Sequence, residues 1–153
     1  MIKFCLEQWD KNKLRLEQTL RNDPTLNSCD YKHLVELVVD NVFNEDGSNA
    51  MRTWDSKNIT VIDNGDYQGT LLFLIPLNTY QPTADEYLMT YVFYGSCSGC
   101  DALLSLQGLP SIQQPSKAQI KGFMYLCKDL VCNTIRPYNK GYAYEADYDE
   151  VSW

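Results

Sequence analysis

The chain has 153 residues, 44% of them apolar and 22% charged, with a formal net charge of −7 and a pI of about 4.6. That length buries a sizeable core without staples. The acidity argues against direct nucleic-acid binding, which calls for a basic stripe, and no apolar run reaches the ~20 residues of a membrane span.

The opening Met1-Ile2-Lys3-Phe4 carries no apolar core followed by a small-residue cleavage site, so a cytoplasmic protein is expected. Six cysteines stand at Cys5, Cys29, Cys97, Cys100, Cys127 and Cys132. In a leaderless chain the expectation is reduced, mostly buried thiols.

Ile2 to Asn22 predicts an amphipathic helix with Ile2, Leu6, Trp9, Leu14, Leu16 and Leu20 on its apolar side. Asn22-Asp23-Pro24 ends it, because a residue before proline avoids helical dihedrals. A second helix starts near Asn27-Ser28-Cys29-Asp30, with Ser28 or Asp30 as N-cap. Its apolar positions are Leu34, Leu37, Val38, Val42 and Phe43, widened by Val35 and Val39. The single histidine, His33, falls in its first turn and reads as a surface or capping residue.

Asn44 to Ser56 is a polar loop with Asp46-Gly47-Ser48-Asn49 as its turn. Ile59 to Ile62 is a short strand, and Asp63-Asn64-Gly65-Asp66 predicts a two-residue hairpin, since Asn-Gly suits positive φ at both central positions. That turn would set Asp63 opposite Asp66. The pair reads as a cation site or, more simply, as solvated turn residues. The return strand, Tyr67 to Ile75, holds the continuous run Leu71-Leu72-Phe73-Leu74-Ile75, which implies cover on both faces. A third strand spans Tyr87 to Tyr94. A short helix, Asp101 to Gln107, precedes a last helix, Lys117 to Ile135, capped by Ser116 and closed by Pro137. Runs of helices and runs of strands predict one α+β domain over residues 1–153. It has a small antiparallel three-stranded sheet with an Asn-Gly hairpin, packed by about four helices.

The stretch Tyr94-Gly95-Ser96-Cys97-Ser98-Gly99-Cys100-Asp101 lies between the third strand and the short helix. Gly95-Ser96-Cys97-Ser98-Gly99 has the spacing of a nucleophile elbow, but no base accompanies it in sequence. Cys97-Ser98-Gly99-Cys100 has dithiol spacing at a helix start, where a thiol becomes reactive. A zinc site would need Cys127 and Cys132 as its second half, and five residues apart on a helix they point roughly 140° away from each other. The simplest reading is structural, with Gly95 and Gly99 permitting a tight turn and Cys97 and Cys100 packing as small apolar groups. The turn's N–H groups also form a cradle for an anion. No cofactor and no metal are expected.

Residues 138–153 hold four tyrosines, four acids, one lysine and a terminal tryptophan. Aromatics interleaved with carboxylates make interface anchors for a basic partner. Tyr144, Glu145, Asp147, Tyr148, Asp149, Glu150 and Trp153 are the candidate contact residues. An aromatic tail folded back on the domain is the alternative.

Asp66-Tyr67-Gln68-Gly69-Thr70-Leu71-Leu72-Phe73 and, about twenty residues on, Tyr94-Gly95-Ser96-Cys97-Ser98-Gly99-Cys100-Asp101 resemble a family of small phage- and prophage-encoded proteins that pair a DYQGTL strand with a YGSCSGCD turn. The resemblance covers roughly Ile59 to Leu106 and brings no catalytic residues. It implies a phage product in the cytoplasm of a bacterial host. By analogy with small acidic phage inhibitors, including anti-CRISPR proteins, it implies a non-enzymatic protein that binds a host defence enzyme handling nucleic acid. The competing expectation is a Cys97/Cys100 dithiol or zinc protein.

Overall fold

The structure, a computed structural model, describes residues 1–44 and 53–136. The Asp46–Asn49 turn, Pro137 and the whole tail from Tyr138 to Trp153, with every candidate contact residue in it, lie outside the described residues.

The described residues form an α+β fold of four α-helices and a three-stranded antiparallel sheet. Helix α1 spans Ile2–Arg21. Its buried stripe is Cys5, Trp9, Asn12, Leu16 and Leu20, a strict run of three- and four-residue steps. Leu14 falls off that run and is 72% exposed, contrary to its expected place on the apolar side. Asn12 holds a buried position because its amide donates to the Val42 carbonyl at 2.9 Å.

Helix α2, Tyr31–Val38, is capped by Asp30, whose side chain accepts from the His33 N–H at 2.9 Å. It continues as a π-helical turn, Val39–Phe43, closed by the Asn44 N–H on the Val39 carbonyl at 2.9 Å. A widened turn leaves carbonyls without helical partners. Arg15 fills that need, donating to the Asn41 carbonyl at 2.7 and 3.0 Å and to the Asn44 carbonyl. Val35, Val38, Val39, Val42 and Phe43 are all buried.

His33 does more than sit at a helix start. Its Nε2 lies 2.6 Å from Asp23, which also accepts from the Thr25 N–H and hydroxyl. Burial works to raise the Asp23 pKa, but the hydrogen bonds from His33 and Thr25, with the imidazole's charge, hold it below the ordinary value. A carboxylate with a depressed folded-state pKa stabilises the fold above its unfolded pKa and loses that contribution as pH falls through the folded value. Asp23→Asn is therefore expected to lower stability at pH 7 and to leave it unchanged, or nearly so, at pH 2. Urea denaturation at both pH values, beside wild type, checks this.

Strands β1 (Thr60–Asp63), β2 (Gly69–Pro76) and β3 (Tyr87–Tyr94) pair in that order. The hairpin is present, but its turn is longer than the Asn-Gly pair predicts. Asp63 pairs with Leu71, not Asp66, so no paired-carboxylate site forms there. The Asn64 side chain accepts from the Thr70 N–H at 2.7 Å, and the Asp63 carboxylate accepts from the Gly65 N–H at 2.9 Å. These side-chain bonds replace the two-residue turn. Gly65 is required by crowding: a Cβ there would sit 2.0 Å from the Gln68 carbonyl oxygen.

The register sorts the sheet into two faces. Phe73, Ile75, Leu88 and Thr90 point into the core, where Leu71, Val92 and Tyr94 pack beside them. Phe73 and Ile75 meet the same buried cluster as Leu34, Val38, Leu16, Phe123 and Leu130 from the helices. Each large apolar side chain so buried contributes ~1.5–3 kcal/mol. Thr90 is tolerated there because its hydroxyl donates to the Leu130 carbonyl at 2.6 Å.

Helix α3 (Ala102–Leu106) is a single short turn, and α4 (Lys117–Cys132) is the long C-terminal helix. Ser116 caps α4 in a reciprocal box with Gln119. The helix ends three residues before the expected Ile135. Thr134 is buried outside it, and Ile135 exchanges two 2.8 Å backbone hydrogen bonds with Met89 on the free edge of β3. No described helix is long and apolar enough to cross a membrane.

Candidate functional site

The stretch from Tyr94 to Asp101 links β3 to α3, as its sequence position implies. Its organising group is Asp101, 6% exposed. One carboxylate oxygen accepts from the Gly95 N–H at 2.9 Å. The other accepts from the Leu104 N–H at 3.0 Å, capping α3, and from the Tyr31 hydroxyl at 2.9 Å. The Tyr31 hydroxyl in turn accepts from the Leu103 N–H at 3.1 Å. Burial, with the Asp101 charge adding, pushes the Tyr31 pKa up. Of the N–H groups expected to cradle an anion, that of Gly95 is taken by the chain's own Asp101 carboxylate, that of Cys97 by Cys100 Sγ and that of Cys100 by the Cys97 carbonyl.

Cys97 and Cys100 are paired as a disulfide across four residues, with their Cα atoms 5.3 Å apart. Residues 96–100 are all exposed. The two sulfurs therefore do not pack as small apolar groups, and the expectation of thiols holds at Cys5, Cys29, Cys127 and Cys132 instead. Gly95 does serve a tight approach, since a Cβ there would lie 2.5 Å from the Cys100 carbonyl oxygen; Gly99 has open space around it. Cys127 is fully buried on α4 and does not join the turn. Among the described residues no group of three or more His, Cys, Asp or Glu side chains stands ready to hold a metal. The base a nucleophile elbow would need is not supplied by His33, which is engaged with Asp23 and Thr25.

A cavity of about 540 Å³ opens beside this turn. Val61, Leu71, Phe73, Leu103 and Leu104 give it apolar walls, and both residues flanking the turn, Tyr94 and Asp101, line it. At its rim the Tyr94 hydroxyl donates to Asp63 at 2.5 Å. That bond lowers the Asp63 pKa, and it is the main cause that pushes Tyr94 up to about 12. Position is fixed by a polar lattice that spacing does not reveal. Gln107 donates to the Leu26 and Cys29 carbonyls at 2.9 and 2.8 Å. Asn27, buried, accepts from Gly108 N–H and Gln119 and donates to the Ile112 carbonyl, each at 2.8 Å.

The second surface of interest is the outer face of the sheet. Ile62, Leu72, Leu74, Met89, Tyr91 and Phe93 share it by register, and none of them belongs to the core cluster. Phe93 is 71% exposed and Ile62 47%. The Tyr91 and Phe93 rings meet edge to face at 5.7 Å. Among the described residues the helices cover one face only, so the apolar run of β2 finds helical cover there on one side. Ile135, bridged to Met89, is half exposed at the border of this face.

Comparison with family models, with curated proteins and with solved structures finds no match to this chain.

Proposed function

We propose that this chain is a binding protein whose outer sheet face receives a partner protein with apolar and basic groups. The observation that carries this reading is the row Ile62, Leu72, Leu74, Met89, Tyr91 and Phe93 on a face outside the core. Contiguous apolar patches larger than a few hundred Å² mark interaction sites in soluble proteins, and clustered aromatics supply interface anchors. The acidic, aromatic residues Tyr144, Glu145, Asp147, Tyr148, Asp149, Glu150 and Trp153 follow in sequence from Ile135 at the border of the same face. Together they favour a basic partner over a second copy, because two chains of net charge −7 repel each other.

The resemblance to phage proteins supports a host protein as that partner, with inhibition of a nucleic-acid-handling defence enzyme in the bacterial cytoplasm as the outcome. Such binding needs no cofactor and no direct contact with nucleic acid.

The test is capture from bacterial lysate with tagged wild type, Phe93→Glu, and a tail variant carrying Asp147→Asn, Asp149→Asn and Glu150→Gln. One stoichiometric protein should bind wild type, bind Phe93→Glu at least ~100-fold more weakly, and bind the tail variant with a flattened salt dependence. Equal capture by all three forms, or none by wild type, overturns the reading. So does a wild-type dimer dispersed by Phe93→Glu, which would assign the face to a second copy.

A further inference from the structure

The six cysteines divide sharply. Cys5 and Cys127 are buried and Cys29 and Cys132 half-buried, while Cys97 and Cys100 are exposed and joined. Burial, with Asp23 and Asp30 adding, pushes the Cys29 thiol up to about 11, and burial pushes Cys127 up to about 12. These thiols resist the thiolate form on which exchange depends.

We propose that the Cys97–Cys100 disulfide is a thiol–disulfide exchange site that takes two electrons from a dithiol protein, with Cys97 the sulfur attacked and Cys100 the sulfur that leaves. Four observations on these residues carry this, and none depends on the outer sheet face. The bond is open to solvent on an exposed turn. It closes only four residues, and the restraint a disulfide places on the unfolded chain grows with loop length, so its structural contribution is small. The ends of the turn are already held without it, by the Gly95 N–H on the Asp101 carboxylate at 2.9 Å. Finally, the Cys97 N–H points at Cys100 Sγ at 3.0 Å, where it favours charge developing on that sulfur as it leaves, and the Cys97 carbonyl, 3.2 Å from the same sulfur, accepts its S–H once it is protonated.

A partner thiolate attacks Cys97 Sγ, the bond to Cys100 breaks, and its electron pair passes to Cys100 Sγ, held by the Cys97 N–H. The partner's second thiol, losing its proton, attacks the partner sulfur of the mixed disulfide. Cys97 departs as a thiolate. The two thiolates take up the two protons the partner has lost. The protein disulfide becomes a dithiol and the partner dithiol becomes a disulfide. The 540 Å³ cavity flanked by Tyr94 and Asp101 seats an apolar side chain next to the partner's reacting cysteine.

The experiment treats the native full chain with reduced glutathione, quenches with N-ethylmaleimide, and maps both adducts by mass spectrometry. Glutathione on Cys97 with maleimide on Cys100, favoured tenfold or more over the reverse, is the expected result. Dithiothreitol should release two thiols with the helical circular dichroism intact. In parallel, Leu104→Glu at the cavity wall should slow reduction by thioredoxin, used as the dithiol protein, about tenfold and leave the dithiothreitol rate unchanged. Glutathione mainly on Cys100, maleimide on both Cys97 and Cys100 of the air-oxidised protein before any reductant is added, or reduction only after unfolding would overturn the exchange site. Equal thioredoxin rates for Leu104→Glu and wild type would overturn the role of the cavity.

Discussion

Asp101→Ala is expected to lower the unfolding free energy by about 3 kcal/mol, an effect out of proportion to the size of the side chain removed. The carboxylate is buried and takes three donors: the Gly95 N–H, the Leu104 N–H and the Tyr31 hydroxyl. Losing the α3 cap costs about 1 kcal/mol. Stranding the buried Tyr31 hydroxyl and the Gly95 N–H adds ~1–3 kcal/mol, because a buried donor without an acceptor forfeits its hydration. For a chain of this length the midpoint of thermal unfolding should fall by ~6–12 °C. Tyr31→Phe, which removes one donor to Asp101 and the acceptor of the Leu103 N–H but leaves the Asp101 cap, should cost about 1–3 kcal/mol. A double change of Cys97→Ser and Cys100→Ser should cost less than Asp101→Ala, because the turn hangs from the carboxylate more than from the sulfurs. If Asp101→Ala unfolds within 1 kcal/mol of wild type, the carboxylate does not organise the turn.

Phe73→Ala carries the other large effect, about 3–5 kcal/mol by denaturant unfolding, the range for deleting a buried phenylalanine ring. Phe73 is fully buried at the centre of β2, where sheet meets helices, and it lines the cavity beside the turn. Removing the ring should therefore enlarge that cavity as well as weaken the core. The informative comparison is Phe93→Ala on the neighbouring strand. Phe93 points to the opposite face and is mostly exposed, so its truncation should move stability by no more than about 0.5 kcal/mol. Comparable losses at the two positions would mean that the sheet is not divided into a buried and an open face.

Much of the fold is legible in the sequence because its elements are punctuated by groups that act locally. Asp30 and Ser116 cap their helices as residue type predicts, and the aromatic, β-branched Tyr87–Tyr94 forms a strand over its expected span. Failures come where side chains act across long separations. Asn12 and Arg15 stabilise a π turn some thirty residues away, and nothing in the local pattern around Val39 announces it. The Asn-Gly signal marks the hairpin correctly but misjudges its turn, since Asn64 and Asp63 use their side chains to close a longer loop. Leu14 and Leu16 look alike as letters; only the strict helical run through Cys5, Trp9, Asn12 and Leu16 separates exposed from buried.

The candidate site was half visible. Gly95, Cys97 and Cys100 stand out by spacing, and their place between strand and helix is as expected. What spacing does not reveal is that Asp101, the last residue of the motif, holds the turn from inside by accepting from Tyr31 seventy residues earlier. The outer sheet face was present in the sequence only as an excess of apolar residues in β2. Pattern alone cannot say which face of Leu71-Leu72-Phe73-Leu74-Ile75 finds cover. The strand register assigns Leu72 and Leu74 to the side the described helices leave open.

The most direct measurement is site-specific photo-crosslinking from this chain to its captured partner. A photoreactive phenylalanine analogue at position 93 samples the outer sheet face, and one at position 125 samples Tyr125, 62% exposed on α4. An adduct to one host protein from position 93, absent from position 125, is the predicted result. An adduct from position 125 with none from position 93 would contradict the outer sheet face as the docking surface.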